Sequence, residues 1–271
     1  MFKIFNEDCK LTMQRFVEEN RKVNLILTSP PYNTQRGKTK FNEKNFNQYL
    51  CRYDSEIPNM TVSDYISWTL DLFHWFDKIL VKNGVVLYNL NYGSDLSTPE
   101  GRNLLWLLVA SIVSNTSFSV ADRIVWKKNS AFPNNMSKNK LTRITEDILV
   151  FVRDSEYATF FCNKEVIGKL NKNQNLYSVY YNFISAKNND GKNPFNKATF
   201  STELVSKLLE IYSIKNDDSF VVYDPFGGTG TTLRGARLRG ISGLMSEIST
   251  NQCQYAQEQL DKFCSDENSL F

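Results

Sequence analysis

Short apolar runs punctuate the chain at 2–5, 24–28, 85–90, 118–127, 148–152, 220–223 and 241–246. Each is closed by polar residues, glycine or proline, the pattern of buried strands. Between them lie stretches whose apolar residues recur at helical spacing. Residues 10–19 predict a helix with Leu11, Phe16 and Val17 turned inward, and 64–80 a longer one with Leu70, Phe73, Phe76, Ile79 and Leu80 on its apolar face. Further helices are predicted over 102–114, 204–212, 229–239 and 250–263. Thr61 or Ser63 is placed to cap the helix over 64–80, and Ser201-Thr202-Glu203 leads into the one at 204. Asn83-Gly84 predicts a turn into the strand at 85. Strands alternating with helices predict an α/β layered sheet.

Two stretches break this rhythm. Residues 33–60 are polar, with Arg36, Lys38, Lys40, Lys44 and Arg52 set among amides and the rings of Tyr49 and Tyr53. A loop of this length is functional or mobile. Its basic and aromatic residues suit a phosphate-and-base surface, and a solvated loop explains them nearly as well. Residues 155–194 are rich in Asn, Lys and Tyr with poor periodicity, which reads as an insertion or small subdomain apart from the central sheet. Its Lys172, Tyr177, Tyr180, Tyr181 and Lys187 suit nucleic acid or the packing of an accessory module. A loop with Asn134, Asn135, Lys138, Lys140 and Arg143 precedes Glu146, and Arg143 with Glu146 reads as a surface pair.

Composition narrows the class. The 271 residues suffice for one large domain with an insertion. Lys and Arg number 32 against 29 Asp and Glu, a net charge of +3, which tolerates a nucleic-acid partner without requiring one. No run is long and apolar enough for a membrane span, and no signal-peptide core is present. The five cysteines, Cys9, Cys51, Cys162, Cys253 and Cys264, are scattered and odd in number, which fits a reducing cytoplasm. A single histidine, His74, excludes a His-rich metal centre and reads as a structural residue of its helix.

Two motifs carry chemistry. The first is Thr28-Ser29-Pro30-Pro31-Tyr32, where an apolar strand stops at a hydroxyl, two prolines and a ring. Proline cannot donate to a ladder and pushes the preceding residue out of the α region. Ser29, the Pro30 carbonyl and the Tyr32 ring are thus held at a strand end, where ligands bind in open α/β sheets. A rigid loop without chemistry accounts for the motif alone equally well. The second is Asp224-Pro225-Phe226-Gly227-Gly228-Thr229-Gly230-Thr231-Thr232, in the order strand, acid, glycine turn, helix. The loop lacks the Lys of a phosphate-binding P-loop. An acid before the glycines sits badly beside a pyrophosphate, and suits a cationic ligand without phosphate, such as S-adenosylmethionine (AdoMet). Glu247, at the end of the next strand, is placed to accept from ribose hydroxyls. A purely structural glycine turn is the plainer reading.

These two motifs, with Glu247 and the Lys82-Asn83-Gly84-Val85 turn, resemble the DNA methyltransferases that act on exocyclic amino groups. The catalytic motif comes early and the glycine loop late, as in the β class of that family. The resemblance covers most of residues 2–260. It implies a Rossmann-like, seven-stranded mixed sheet with helices on both faces and a circularly permuted motif order. It implies a catalytic part over 1–154, a target-recognition insertion over 155–195 and an AdoMet-binding part over 196–271. Asp224, Phe226, Gly227 and Gly230 would line the methionine side of the cofactor, with Pro225, Gly228 and Thr231 also in its binding site; Glu247 would hold the ribose, and Asp8 would reach the adenine edge. Asn196-Lys197-Ala198 departs from the family's His-Pro-Ala and Ser201 from a common proline.

The implied partner is double-stranded DNA with a short specific target; the resemblance leaves a homodimer and a companion restriction endonuclease open. The implied chemistry is methyl transfer from AdoMet to the amine of a flipped-out base. Ser29 Oγ and the Pro30 carbonyl would accept from the amine, Pro31 would stiffen the turn, and Tyr32 would stack on the base. No metal is implied. None of the seven prolines is followed by Cys, so the Pro-Cys nucleophile of C5-cytosine methylation is absent. Ser29, where adenine-N6 enzymes commonly carry Asp, resembles the cytosine-N4 form, with adenine-N6 the alternative. An RNA or protein-amide methyltransferase and a catalytically silent DNA-binding protein are the more distant readings.

Overall fold

The computed structural model describes residues 1–33, 59–90, 98–131, 133–135, 138–191, 195 and 200–268. Ten strands occur among them: β1 Phe2–Phe5, β2 Val23–Thr28, β3 Leu80–Leu90, β4 Phe118–Lys128, β5 Thr145–Arg153, β6 Val166–Asn171, β7 Gln174–Tyr177, β8 Phe183–Ala186, β9 Val221–Asp224 and β10 Ser242–Ser246. The helices are α1 Cys9–Glu18, α2 Val62–Ile79, the single turn α3 Pro99–Arg102, α4 Leu104–Asn115, α5 Thr202–Tyr212, α6 Thr231–Arg239 and α7 Thr250–Asn268. Thr61 caps α2 by accepting from the Asp64 N–H at 3.1 Å, and Ser201 caps α5 in the same way through Leu204 at 3.2 Å.

Eight strands form one mixed sheet in the order β1-β10-β9-β2-β3-β5-β4-β8. The first five run parallel, β5 is antiparallel to both β3 and β4, and β8 runs parallel to β4. Late strands β9 and β10 thus lie between β1 and β2, which brings the two ends of the chain into the same half of the sheet. The central strands are apolar at consecutive positions because both faces are covered. Ile26, Val86, Tyr88 and Phe151 face a core with Met13, Phe16, Phe73, Phe76 and Leu108. Leu25, Leu27, Val85, Leu87, Ile148 and Val150 face the opposite core with Leu204, Leu208 and Ala236.

Several expectations need correction. The sheet has eight strands rather than seven, because β8, within 155–195, pairs with β4 through Val125–Phe183 to Lys128–Ala186. That stretch therefore does not stand wholly apart from the central sheet; the hairpin β6–β7 forms a separate two-stranded sheet. Leu11 and Val17 are 55% and 41% exposed, and α1 instead buries Cys9, Thr12, Met13 and Phe16. At 100° per residue Leu11 lies on the side away from that face. The Asn83-Gly84 turn is a kink inside β3 rather than a start before it: Asn83 has φ 62°, and pairing with β2 shifts between Val23–Leu80 and Leu25–Val85. His74 sits exposed on α2. The basic loop at 34–58, Cys51 and the 196–199 departure lie outside the described residues. No helix among the described residues is long and apolar enough to cross a membrane.

Helices α5 and α6 pack closely at Gly235, where an added Cβ would meet Val205 Cγ1 at 2.2 Å. Gly235→Ala is expected to destabilise the protein by about 1–3 kcal/mol through overpacking. The check is a lower urea midpoint at unchanged m-value; an unchanged midpoint would show that the two helices separate without cost.

Candidate active site

The parallel strands β1, β10, β9 and β2 end along one edge of the sheet, and each ends at a residue singled out by sequence: Asp8 follows β1, Glu247 follows β10, Asp224 closes β9 and Ser29 follows β2. Asp224 is 2% exposed. Its Oδ1 accepts from Thr28 Oγ1 at 2.8 Å and from the Phe226 N–H at 3.0 Å, and its Oδ2 from Thr232 Oγ1 at 2.6 Å. The carboxylate is therefore a junction of the proline motif, the glycine loop and the first turn of α6. Burial pushes its pKa up to about 6, against the lowering effect of the three hydrogen bonds. The carboxylate is desolvated, a setting in which a cation beside it favours the charged form.

The glycine loop is held by close approach. Gly227 donates to the Ser246 carbonyl at 2.9 Å, and an added Cβ there would lie 2.6 Å from Met245 Cβ. Gly230, at φ 77°, starts α6 in a left-handed conformation that disfavours a side chain. Glu247 ties the loop to the next element: Oε2 accepts from the Gly228 N–H at 3.0 Å and Oε1 from the Ser249 N–H at 2.9 Å. Asp8 is exposed and caps α1, accepting from the Lys10 N–H at 2.8 Å. Its loop is stitched to that of Glu247, because Asn6 Nδ2 donates to the Glu247 carbonyl at 3.0 Å. Pro225 is buried within the loop and Thr231 in the first turn of α6.

Helix α2 joins the two motifs from the side. Tyr65 OH donates to the Pro31 carbonyl at 3.1 Å, and Asn33 Nδ2 to the Met60 carbonyl at 2.8 Å, which fixes the chain after the prolines. Tyr65 stacks on Trp68 at 5.4 Å, and Trp68 lies 5.5 Å from Phe226 of the glycine loop. Sequence reading missed this aromatic bridge. Tyr65 and Trp68, i and i+3 on one helix face, were its only signal.

The proline motif opens onto a polar cluster. Ser29 Oγ donates to Tyr32 OH at 3.1 Å, and Tyr32 OH donates to Glu146 Oε2 at 3.3 Å. Asn89, 2% exposed, directs Nδ2 to Tyr32 OH at 2.8 Å, Glu146 Oε2 at 3.1 Å and Ser29 Oγ at 3.4 Å. Lys128 pairs with the other carboxylate oxygen of Glu146. The expected surface pair of Arg143 and Glu146 is thus corrected: Glu146 is 8% exposed and bound to Lys128, while Arg143 is exposed on the β4–β5 connection with Lys138 and Lys140. Asn89 was not singled out by sequence. Only the parity of strand positions pointed to it, since 85, 87 and 89 share one face.

The chain matches the DNA methylase family model of the N6/N4 type over residues 23–258. It is 26% identical over 218 residues to the type II methyltransferase M.MwoI of Methanothermobacter wolfeii, covering 79% of this chain and 27% of that one. It is 22% identical to the orphan methyltransferase M.BamHII of Bacillus amyloliquefaciens, covering 89% of each. The chain therefore spans about a quarter of the first relative's length and most of the second's. Among solved structures, the cytosine-N4-specific PvuII DNA methyltransferase aligns with TM-score 0.67 at 14% identity over 97% of this chain and 90% of that one. The M1.HpyAVI–SAM complex aligns with TM-score 0.61 at 20% identity over 96% and 100%. These likenesses show the fold.

The raised pKa of Asp224 has a definite sign in stability. The folded protein holds this proton up to about pH 6, the unfolded chain only to 3.8. Between those values the folded state binds more protons, so stability from this group falls as pH rises and is flat above. The difference corresponds to something on the order of 3 kcal/mol. Asp224→Asn is expected to remove this component. Urea unfolding of both proteins at pH 4 and pH 7 checks it: an equal pH dependence in the two would contradict the assignment.

Proposed function

The chain belongs to the N6/N4 family of DNA methylases, and we propose that it transfers a methyl group from AdoMet to the exocyclic N4 amine of a flipped-out cytosine in double-stranded DNA. The observation that carries this reading is the 2.8 Å hydrogen bond from Thr28 to Asp224, which sets the amine-acceptor motif beside the acidic glycine loop. The donor set fits AdoMet: carboxylates of Asp224, Glu247 and Asp8 line one edge, the glycine loop has no lysine, and a cationic ligand free of phosphate matches that charge. In this reading Asp224, Phe226, Gly227 and Gly230 line the methionine side, Pro225, Gly228 and Thr231 complete the loop around it, Glu247 holds the ribose and Asp8 the adenine edge. AdoMet would supply an electrophilic methyl on its sulfonium: the N–C bond would form as the C–S bond breaks to leave a neutral thioether, and the methylated amine would lose one N–H proton to solvent.

The chain's own residues supply orientation. An amino nitrogen conjugated to a ring must pyramidalise to attack. Ser29 Oγ and the Pro30 carbonyl accept its N–H bonds and turn its lone pair toward the methyl, and the two prolines fix those acceptors before reaction. The Pro31 carbonyl is already engaged by Tyr65, which leaves this role to its neighbour. Tyr32 supplies a ring for the base. Ser29, where adenine-N6 enzymes commonly carry Asp, resembles the cytosine-N4 form, which favours cytosine over the alternative, adenine-N6. Lys138, Lys140 and Arg143 border the same edge and suit DNA phosphates. Residues 155–195 are assigned to target recognition; their hairpin exposes Lys169, Asn171, Lys172, Asn173, Gln174 and Asn175, side chains able to read base edges. Relatives named as type II methyltransferases suggest a restriction–modification setting in a prokaryotic cytoplasm.

Incubation with AdoMet and duplex DNA, followed by digestion and nucleoside analysis, is expected to yield N4-methylcytosine. N6-methyladenine alone would transfer the reading to adenine, and no methylated base would overturn it. Asp224→Ala is expected to weaken AdoMet binding in calorimetry; equal affinity would remove Asp224 from the cofactor site.

A further inference from the structure

Ser29 lacks the charge that an aspartate at its position would offer a developing ammonium. The structure contains a carboxylate that can make up the difference at one remove. We infer that Glu146, held in place by Lys128, is a positioning residue that acts through the Tyr32 hydroxyl to make Ser29 Oγ a directed, strengthened acceptor for the target amine. This inference rests on the assignment of Ser29 as that acceptor.

The geometry is a chain of donors that ends on an anion. Ser29 Oγ donates to Tyr32 OH at 3.1 Å, and Tyr32 OH donates to Glu146 Oε2 at 3.3 Å. Ser29 has one hydroxyl proton and two lone pairs. With the proton committed toward Tyr32, a lone pair is left for an incoming N–H. A hydroxyl that donates is a better acceptor, since linked hydrogen bonds polarise one another. A free serine rotor would present its proton to the amine in part of its orientations, which opposes the reaction.

The elements that build the chain are four neighbouring strands. Ser29 follows β2, Asn89 lies in β3, Glu146 in β5 and Lys128 in β4, all at the same edge and on the face of Leu25, Leu27, Leu87 and Ile148. Glu146 lies opposite Trp126 in the β4–β5 ladder, which sets Lys128 diagonally beside it. The carboxylate also fixes Asn89. Reversal of that amide would turn its oxygen against Glu146, so Nδ2 stays toward the cluster. The Asn89 Oδ1 is consequently buried without a partner among the described residues. Leaving such an acceptor unmade costs about 1–3 kcal/mol. Stability alone would favour a different side chain there.

The test measures methyl transfer to duplex DNA by the full chain, with kcat and KM separated. Ser29→Ala is expected to abolish transfer. Tyr32→Phe keeps the ring and breaks the chain; Glu146→Gln keeps the shape and removes the charge. Each is expected to lower kcat about tenfold with KM for AdoMet within about twofold. Because both cut the same chain, the double variant should fall to about the level of the lower single one, a strong coupling in the mutant cycle. Glu146→Asp should recover part of the loss. Tyr32→Phe at wild-type kcat, or losses in the two singles that multiply in the double, would overturn the inference while an inactive Ser29→Ala left the acceptor assignment standing. An unfolded Glu146→Gln leaves Tyr32→Phe to decide by itself. Wild-type protein without transfer to DNA would overturn both.

Discussion

One buried carboxylate joins the proline motif to the glycine loop at this edge of the sheet. Asp224 binds Thr28 and Thr232 through their hydroxyls and Phe226 through its N–H, so strand β2, the glycine loop and helix α6 meet on two oxygen atoms. The two motifs it joins lie far apart in the chain. Adjacent strands β2 and β9 bring them near, pairing at Leu25–Val222 and Ile26–Tyr223, but pairing alone leaves the strand ends free to splay. The hydrogen bond from Thr28 closes that end. Burial costs the charge its hydration, and the three donors offset much of the cost. The part of that cost left uncompensated makes the carboxylate responsive to a cation placed beside it.

A second constraint comes from the side. Helix α2 packs Phe73 and Phe76 into one core while its N-terminal half carries Tyr65 and Trp68 to the edge of the sheet. Tyr65 holds Pro31, and Trp68 meets Phe226. One rigid element thus touches both halves of the site. A shift of α2 would act on the proline motif and the glycine loop together. Positioning of this kind matters because reactions that depend on alignment are sensitive to displacements of about 1 Å.

The strands were legible in the sequence because both faces of the sheet are covered. Continuous apolar runs such as 25–27 and 148–152 are too short for a buried helix and rich in branched side chains, which leaves a buried strand. The ends of those runs, at Ser29, Asp224 and Glu247, were legible for a related reason: proline, glycine and acid stop a strand in recognisable ways. The β8 strand was not legible. It is four residues long, alternates exposed and buried positions, and sits in an Asn- and Lys-rich stretch, so only its pairing with β4 makes it a strand. Leu11 and Val17 misled because a ten-residue helix with one strongly buried ring, Phe16, leaves its phase weakly determined by composition. Glu146 misled in a different way. Its neighbour in sequence, Arg143, sits at helix-like spacing, but the chain there is extended, and its partner Lys128 comes from another strand.

That last case shows how the sheet's order creates chemistry that no local motif contains. Glu146 and Asp147 are adjacent buried acids on β5, and alternation sends them to opposite faces. Asp147 meets Arg123 at 2.8 Å on one side, while Glu146 meets Lys128, Asn89 and Tyr32 on the other. A slip of β5 by one residue would exchange them and turn the acid of the cluster into a partner for Arg123. The observed register is that of its pairing with both neighbours, Asn89–Ile148 and Leu90–Asp147 on β3 and Trp126–Glu146 and Val125–Asp147 on β4. The pairing of β5 with β3 and β4 therefore determines which carboxylate faces Ser29, and a side chain at this edge of the sheet owes its place to the ladders on either side.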